Sequence, residues 1–232
     1  MSFFRFKQFT VVQEKSALKI GTDALILGAR IDAVSEGNIL DIGSGTGVLA
    51  LMLAQRSENA IIEAVELDQP AAEESLRNFR NSPWSDRLHI HHADFFTWRT
   101  EKNYELIVSN PPFYMDGLKP ENERLAVSKH AGFDFSVFVE KCAELLSPNG
   151  ALWLIYPASN DGALSKCFLS AELHTASKIS VFGKPGKLNR FIVELTKSPC
   201  TCTQEEFLVR EENGAYSQQY KQLTKAFHDR EL

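Results

Sequence analysis

The chain has 232 residues, 44% hydrophobic and 24% charged, with a formal net charge of -5. That size and composition suit one soluble α/β domain with a full core. The acidic balance argues against a dedicated, nonspecific nucleic-acid binder, although a local basic face matters more than the total. Nothing approaches the roughly 18 consecutive apolar residues of a membrane span. The stretch MSFFRFKQF lacks the apolar h-region of a secretory signal. The expectation is a cytoplasmic monomer with no membrane contact.

Phe4 to Arg30 opens with an aromatic, strand-like run, followed by Gly21-Thr-Asp-Ala, where Thr22 can cap a helix reaching about Arg30. Asn38 to Ile42 is a short apolar run, and Gly47 to Arg56 is apolar at helical spacing. A second strand is expected at Ala60 to Glu66, then a helix over Gln69 to Asn81 with Pro70 in its first turn. Leu88 to His92 alternates as a strand, and Tyr104 to Ser109 is another. Phe133 to Leu146 reads as a helix, Ala151 to Tyr156 as a strand and Ala158 to Leu169 as a helix. Two last strands, His174 to Phe182 and Phe191 to Thr196, are joined by Gly183-Lys-Pro-Gly-Lys187, which implies an antiparallel hairpin. The tail adds a strand-like Glu206 to Glu211 and a helical Tyr216 to Phe227.

Strands alternating with helices predict an α/β, doubly wound, mostly parallel sheet of seven strands, Rossmann-like, with small additions at both ends. With no repeats or long linkers, one domain is expected: an extension over 1–35, a core over 36–200 and a strand and helix over 201–232. Met115 to Ala131 is charged and aperiodic, and is expected to be a mobile loop.

Gly43-Ser-Gly-Thr-Gly47 lies between the first core strand and its helix. Gly43, Gly45 and Gly47 let the chain turn tightly and let a ligand approach the main chain. The spacing is not the dinucleotide G-x-G-x-x-G, and the Lys-[Ser/Thr] of a phosphate loop is missing. Asp41, just before the loop, would repel a pyrophosphate and attract a cationic ligand, which favours S-adenosylmethionine over NAD or ATP. Glu66 ends the second strand where an acid can accept both ribose hydroxyls, with Asp68 a competitor, and Asp94 ends the third, where it can accept from an adenine amine. Each acid alone reads as a cap or turn residue. Together at successive strand ends they read as a cofactor site.

LDIGSGTGVLA, VELD, AD and SNPPF, in this order, resemble a class I S-adenosylmethionine-dependent methyltransferase. The Asn110-Pro-Pro-Phe113 motif is similar to the active-site motif of enzymes that methylate planar amino groups: adenine N6 in DNA or RNA, or a glutamine amide. Such an amine is a poor nucleophile. Acceptors at the Asn110 side chain and the Pro111 carbonyl would grip its hydrogens as positive charge develops. Pro111 and Pro112 stiffen the turn and remove competing donors. Phe113 can stack on the substrate, with Tyr114 as a second wall.

The residues before Asp41 are not expected to form a helical substrate domain of the glutamine-methylating kind. FRFKQFTVVQEKSALKIGTDALILGA and YKQLTKAF instead resemble the flanks of the tRNA1(Val) adenine N6-methyltransferase family. The resemblance implies S-adenosylmethionine as cofactor and the adenine beside the valine anticodon as substrate. It also implies that Lys19, Gly21, Thr22 and Asp23 close over the cofactor's methionine end. On residue chemistry alone Lys19 is equally a solvated lysine. The Lys184–Arg190 hairpin (Lys184, Lys187, Arg190) and the Arg124–His130 loop (Arg124, Lys129) are expected to meet tRNA phosphates. Alternatives are an rRNA or DNA adenine, a glutamine amide, or a silent S-adenosylmethionine-binding subunit. Cys142, Cys167, Cys200 and Cys202 form no C-x-x-C, and alternation puts His91 and His92 on opposite faces, so no metal site is expected.

Overall fold

The computed structural model describes residues 2–16, 19–32, 34–111 and 133–229. In chain order come β1 (Phe3–Arg5), β2 (Thr10–Val12), α1 (Thr22–Arg30), β3 (Asn38–Ile42), α2 (Val48–Arg56), β4 (Ile61–Glu66) and α3 (Gln69–Arg80). Next are β5 (Leu88–His92), β6 (Tyr104–Ser109), α4 (Phe135–Leu145), β7 (Leu146–Pro157), a 3₁₀ turn (Ala158–Asn160) and α5 (Asp161–Ser170). The chain ends with β8 (His174–Lys184), β9 (Lys187–Thr196), β10 (Thr203–Leu208) and α6 (Gln218–Thr224).

The main sheet runs β10-β8-β9-β7-β6-β3-β4-β5. Pairing is parallel from β7 through β5, whereas β9 runs antiparallel to both β7 and β8. The strand expected near the tail adds beside β8 in parallel, giving eight strands where seven were expected. β1 and β2 form a separate antiparallel pair.

Alternate residues of the central strands serve two different cores. Ile39, Leu106, Val108, Trp153 and Ile155 pack with α1, α2 and the N-terminal aromatics Phe6 and Phe9. Leu40, Ile107, Leu152 and Leu154 pack on the other face with α4 and α5. Burial on both faces is why these strands are continuous apolar runs rather than alternating ones.

The order along the sheet reverses at β3, with β6 on one side and β4 on the other. In an open α/β sheet the crevice at such a reversal, beyond the strands' carboxyl ends, is where ligands bind. Among the described residues no helix is long and apolar enough to cross a membrane.

Candidate active site

β3 delivers the chain into the glycine loop, where Gly43, Gly45 and Gly47 all take positive φ, at 70°, 55° and 78°. The reasons differ. A Cβ on Gly47 would sit 2.5 Å from the Phe79 ring and 2.8 Å from Ser75 Oγ, so this glycine is required by packing. A Cβ on Gly43 or Gly45 would meet nothing within 4 Å, so these two present bare main chain to open space. The loop is held from both sides: Gly45 N–H donates to Glu66 Oε2 at 2.7 Å, and Ser75 Oγ donates to the Gly45 carbonyl at 3.0 Å.

Asp41 lies beneath the loop, 0% exposed, and Oδ2 accepts from Ala50 N–H in the first turns of α2 at 3.1 Å. Burial pushes its pKa up to about 7 against that hydrogen bond, and the nearby Glu66 charge adds to the rise. Asp41 Oδ1 and the neighbouring Ser44 Oγ are buried without a partner among the described residues. Buried polar atoms without partners are costly, and their position under the loop suits a site built for a polar ligand.

Glu66 accepts from Gly45 N–H and, at 2.8 Å, from Asp68 N–H. Burial raises its pKa, and these two hydrogen bonds oppose the rise. Each carboxylate oxygen keeps acceptor capacity beyond one bond. Asp68, the expected competitor for the ribose, is the N-cap of α3 and accepts from Ala71 N–H at 3.1 Å, the cap reading open to each of these acids. Asp94 follows β5 and folds its own turn, Oδ1 accepting from Phe96 N–H at 2.9 Å.

Ile42 and Ser109 are register partners at the ends of β3 and β6, and Ser109 Oγ donates to the Ile42 carbonyl at 2.8 Å. Gly43 and Asn110 are the next residues of each strand, so the glycine loop and the Asn110-Pro111 step leave the sheet side by side. Asn110 is half-buried and Pro111 buried. Pro112, Phe113, Tyr114, Arg124 and Lys129 lie outside the described residues, as does the Met115–Ala131 segment.

Gly21, not Thr22, is the N-cap of α1, with an extended backbone and no side-chain capping bond, because Thr22 is already helical. Asp23, in the first turn, accepts from Arg190 Nε at 2.9 Å. Arg190 is opposite Pro157 at the carboxyl end of β7, the same end of the sheet as Asn110. Lys19 Nζ donates to the Gln13 carbonyl. Lys184 and Lys187 face each other across the exposed β8–β9 turn, three and two strands from β6 respectively.

Three polar residues of α3 were not singled out from the sequence. Glu74, Ser75 and Asn78 are all buried. Asn78 Nδ2 donates to both the Val12 and Thr46 carbonyls, at 3.0 and 2.9 Å, linking β2 to the glycine loop. In the stretch EESLRNF such residues look like a solvated helix face, and only their spacing on one side hints otherwise. Lys141 of α4 was also missed. It donates to the Phe95 and Phe96 carbonyls and, at 2.6 Å, to that of Trp98, fastening the turn after Asp94.

His91 pairs with Glu63 at 2.9 Å and His92 with the Leu67 carbonyl at 3.1 Å, on opposite faces. Among the described residues no three His, Cys, Asp or Glu side chains gather as a metal site.

The family model for the methyltransferase small domain matches residues 5–180. A tRNA1(Val) (adenine(37)-N6)-methyltransferase of Phocaeicola vulgatus is 37% identical over 228 residues, covering 97% of both chains. One of Haemophilus influenzae is also 37% identical, covering 98% of this chain and 99% of its own. Among solved structures, a predicted O-methyltransferase of Agrobacterium tumefaciens superposes with a TM-score of 0.70 at 19% identity, covering 88% of this chain and 96% of that one. A TehB-like SAM-dependent methyltransferase of Corynebacterium glutamicum does so with a TM-score of 0.55 at 15% identity, covering 78% and 90%. The fold is that of the class I methyltransferases, and the chain belongs to the methyltransferase small domain family and, within it, to the tRNA1(Val) (adenine(37)-N6)-methyltransferase family.

Proposed function

We propose that this chain transfers a methyl group from S-adenosylmethionine to the N6 amine of an adenine in tRNA, the anticodon-loop adenine of tRNA1(Val). The observation that carries the reading is the pairing of the Asn110-Pro111 step with the glycine loop at the Ile42–Ser109 register. Similarity at 37% identity over nearly the whole chain, to relatives named for that reaction, supports the substrate.

Bound S-adenosylmethionine supplies an electrophilic methyl group on a sulfonium. The residues present fit it. Gly43 and Gly45 leave room beside the main chain, and Glu66 faces that loop with spare acceptor capacity for ribose hydroxyls. Asp41 and Glu66 give the pocket the negative potential that a sulfonium and an ammonium prefer. Asp94 is assigned the adenine amine, and Lys19, Gly21, Thr22 and Asp23 the methionine end.

The Asn110 side-chain oxygen and the Pro111 carbonyl are assigned the two hydrogens of the substrate amine. Positive charge would grow on the amine nitrogen as it takes the methyl group from the sulfonium, which would leave as the neutral thioether, and both acceptors would stabilise that charge. The extra proton then leaves to water. Phe113 is assigned the stacking wall for an extruded base, with Tyr114 beside it and Pro112 stiffening the turn. Lys184, Lys187, Arg124 and Lys129 are assigned to phosphates. Arg190 donates through Nε to Asp23 and through Nη1 to the Asn189 carbonyl, which leaves Nη2 for that role.

Unmodified tRNA1(Val) transcripts, with adenine or guanine at the anticodon-adjacent position, test the reading with methyl-labelled cofactor. Label entering only the adenine transcript supports it, and equal label in both transcripts refutes the assigned position.

A further inference from the structure

The carboxylate of Glu74 is 3% exposed, yet among the described residues no positively charged side chain is bonded to it. Its partners come from three consecutive residues of the N-terminal segment. Oε1 accepts from Glu14 N–H at 2.5 Å and Lys15 N–H at 2.8 Å. Oε2 accepts from Ser16 N–H at 2.9 Å and Ser16 Oγ at 2.6 Å. Burial alone would push its pKa up, but these four hydrogen bonds outweigh burial and hold it below the usual carboxylate range. The segment before Lys19 is thus folded into an anion nest whose anion is a side chain of α3.

One turn along the same face, Asn78 holds Val12 through both its N–H and its carbonyl, and also holds the Thr46 carbonyl. Ser75, between them, holds the Gly45 carbonyl. Three side chains spaced i, i+1 and i+4 therefore pin two separate pieces of chain to one helix: the Val12–Ser16 strap and the glycine loop. The strap passes its position on. Gln13 Oε1 accepts from Ile20 N–H at 2.9 Å, and the Gln13 carbonyl accepts from Lys19 Nζ, so the residues entering α1 are fixed to the strap.

We infer that Glu74 is a positioning residue for the cofactor: it docks the Val12–Ser16 strap on α3 so that strap and glycine loop form one wall, and strap docking and cofactor binding favour each other. This rests on the glycine loop being the cofactor site. Glu74 touches no reacting atom and acts through the strap. Because linkage is reciprocal, cofactor that binds the assembled wall must hold the strap down, and a strap that cannot dock must weaken the cofactor. Methyl transfer at saturating cofactor uses Asn110-Pro111 and is left largely unchanged.

The test uses the full chain, S-adenosylhomocysteine as probe and Glu74→Gln, which keeps the shape but replaces one acceptor oxygen with a donor. Binding is measured by calorimetry, and strap docking by the rate of tryptic cleavage after Lys15 and Lys19 with and without probe. The expected result is a dissociation constant raised about tenfold or more, faster strap cleavage, loss of the probe's protection, and kcat within about twofold of wild type at saturation. Ser16→Ala removes one of the four hydrogen bonds and is expected to shift both readouts in the same direction by less, which keeps the test open if Glu74→Gln does not fold. Unchanged affinity in both variants, or wild-type cleavage indifferent to the probe, would overturn the inference while leaving the cofactor site in place. A wild-type chain that does not bind the probe overturns the cofactor reading itself and the inference with it.

Discussion

Asp23 and Arg190, separated by 167 residues in sequence, form an ion pair of 2.9 Å between the first turn of α1 and β9. The pair ties the segment assigned to the cofactor's methionine end to the hairpin assigned to tRNA. Both side chains are about one-third exposed, so the pair itself is worth only about 0–1 kcal/mol. Asp23→Asn is therefore expected to lower Tm by no more than about 2–4 °C. Its effect on cofactor affinity should be larger, because the pair fixes a segment rather than a charge. The double variant Asp23→Asn/Arg190→Ala should bind cofactor no worse than the weaker single variant, since both remove one contact. Additive losses in calorimetry would show that the two residues act separately.

Asn110→Ala separates binding from chemistry. Asn110 follows the end of β6, beside the start of the glycine loop, so cofactor affinity should stay within about twofold. Loss of one acceptor for developing charge should lower kcat by about 10²–10³-fold. Single-turnover methylation at saturating cofactor measures this, and a change confined to KM would contradict the role.

The glycines give opposite results for the same substitution. Gly45→Ala projects a methyl into open space, so the fold loses only the left-handed backbone cost, about 1–2 kcal/mol, while cofactor binding is blocked. Gly47→Ala drives its methyl into Phe79 and Ser75 and should destabilise the chain well beyond that. Thermal unfolding and cofactor titration on the two variants check the contrast.

Asp41 predicts a pH dependence. Its ordinary pKa of 3.8 is raised to about 7 in the fold. Between those values the unfolded chain has released a proton that the native chain keeps. Asp41's contribution to stability is thus complete below the lower value and is lost as pH rises towards the higher one. A cation near the loop favours the ionised form, so cofactor affinity should rise by up to about tenfold per pH unit below 7 and level off above it. Asp41→Asn should flatten that profile. Calorimetry between about pH 5.5 and 8.5 in buffers of different ionisation enthalpy would also detect the proton released on binding.

Lys184→Glu/Lys187→Glu reverses two charges at the exposed turn of the β8–β9 hairpin. Affinity for tRNA should fall, with the salt dependence of binding flattened by about two ion equivalents. Cofactor affinity should be untouched. An unchanged salt slope would remove this turn from the RNA surface.

The parallel core was legible because its strands are apolar runs closed by punctuation. β3, β5 and β6 have the bounds expected from Asn38–Ile42, Leu88–His92 and Tyr104–Ser109. The placement of the glycine loop, Asp41, Glu66 and Asp94 at the carboxyl ends of β3, β4 and β5 was legible because each lies at or beside the end of an apolar run. Thr22 misled because a threonine before a helix resembles a cap, and local sequence does not show which residue already has helical dihedrals. The tail strand was visible, but not its place beside β8, since edge pairing is a tertiary choice. Glu74, Asn78 and the Asp23–Arg190 pair were illegible for a common reason. Their partners are distant in sequence, and a buried polar side chain has the same letter as a solvated one.

The central claim is amine methylation of a tRNA adenine by the Asn110-Pro111 step. Mass spectrometry of nucleosides from tRNA incubated with the chain and methyl-labelled S-adenosylmethionine tests it most directly. Labelled N6-methyladenosine, mapped to the anticodon-loop fragment of tRNA1(Val) with wild type and absent with Asn110→Ala, is the predicted result. Label on another nucleoside, or equal label with both proteins, would contradict it.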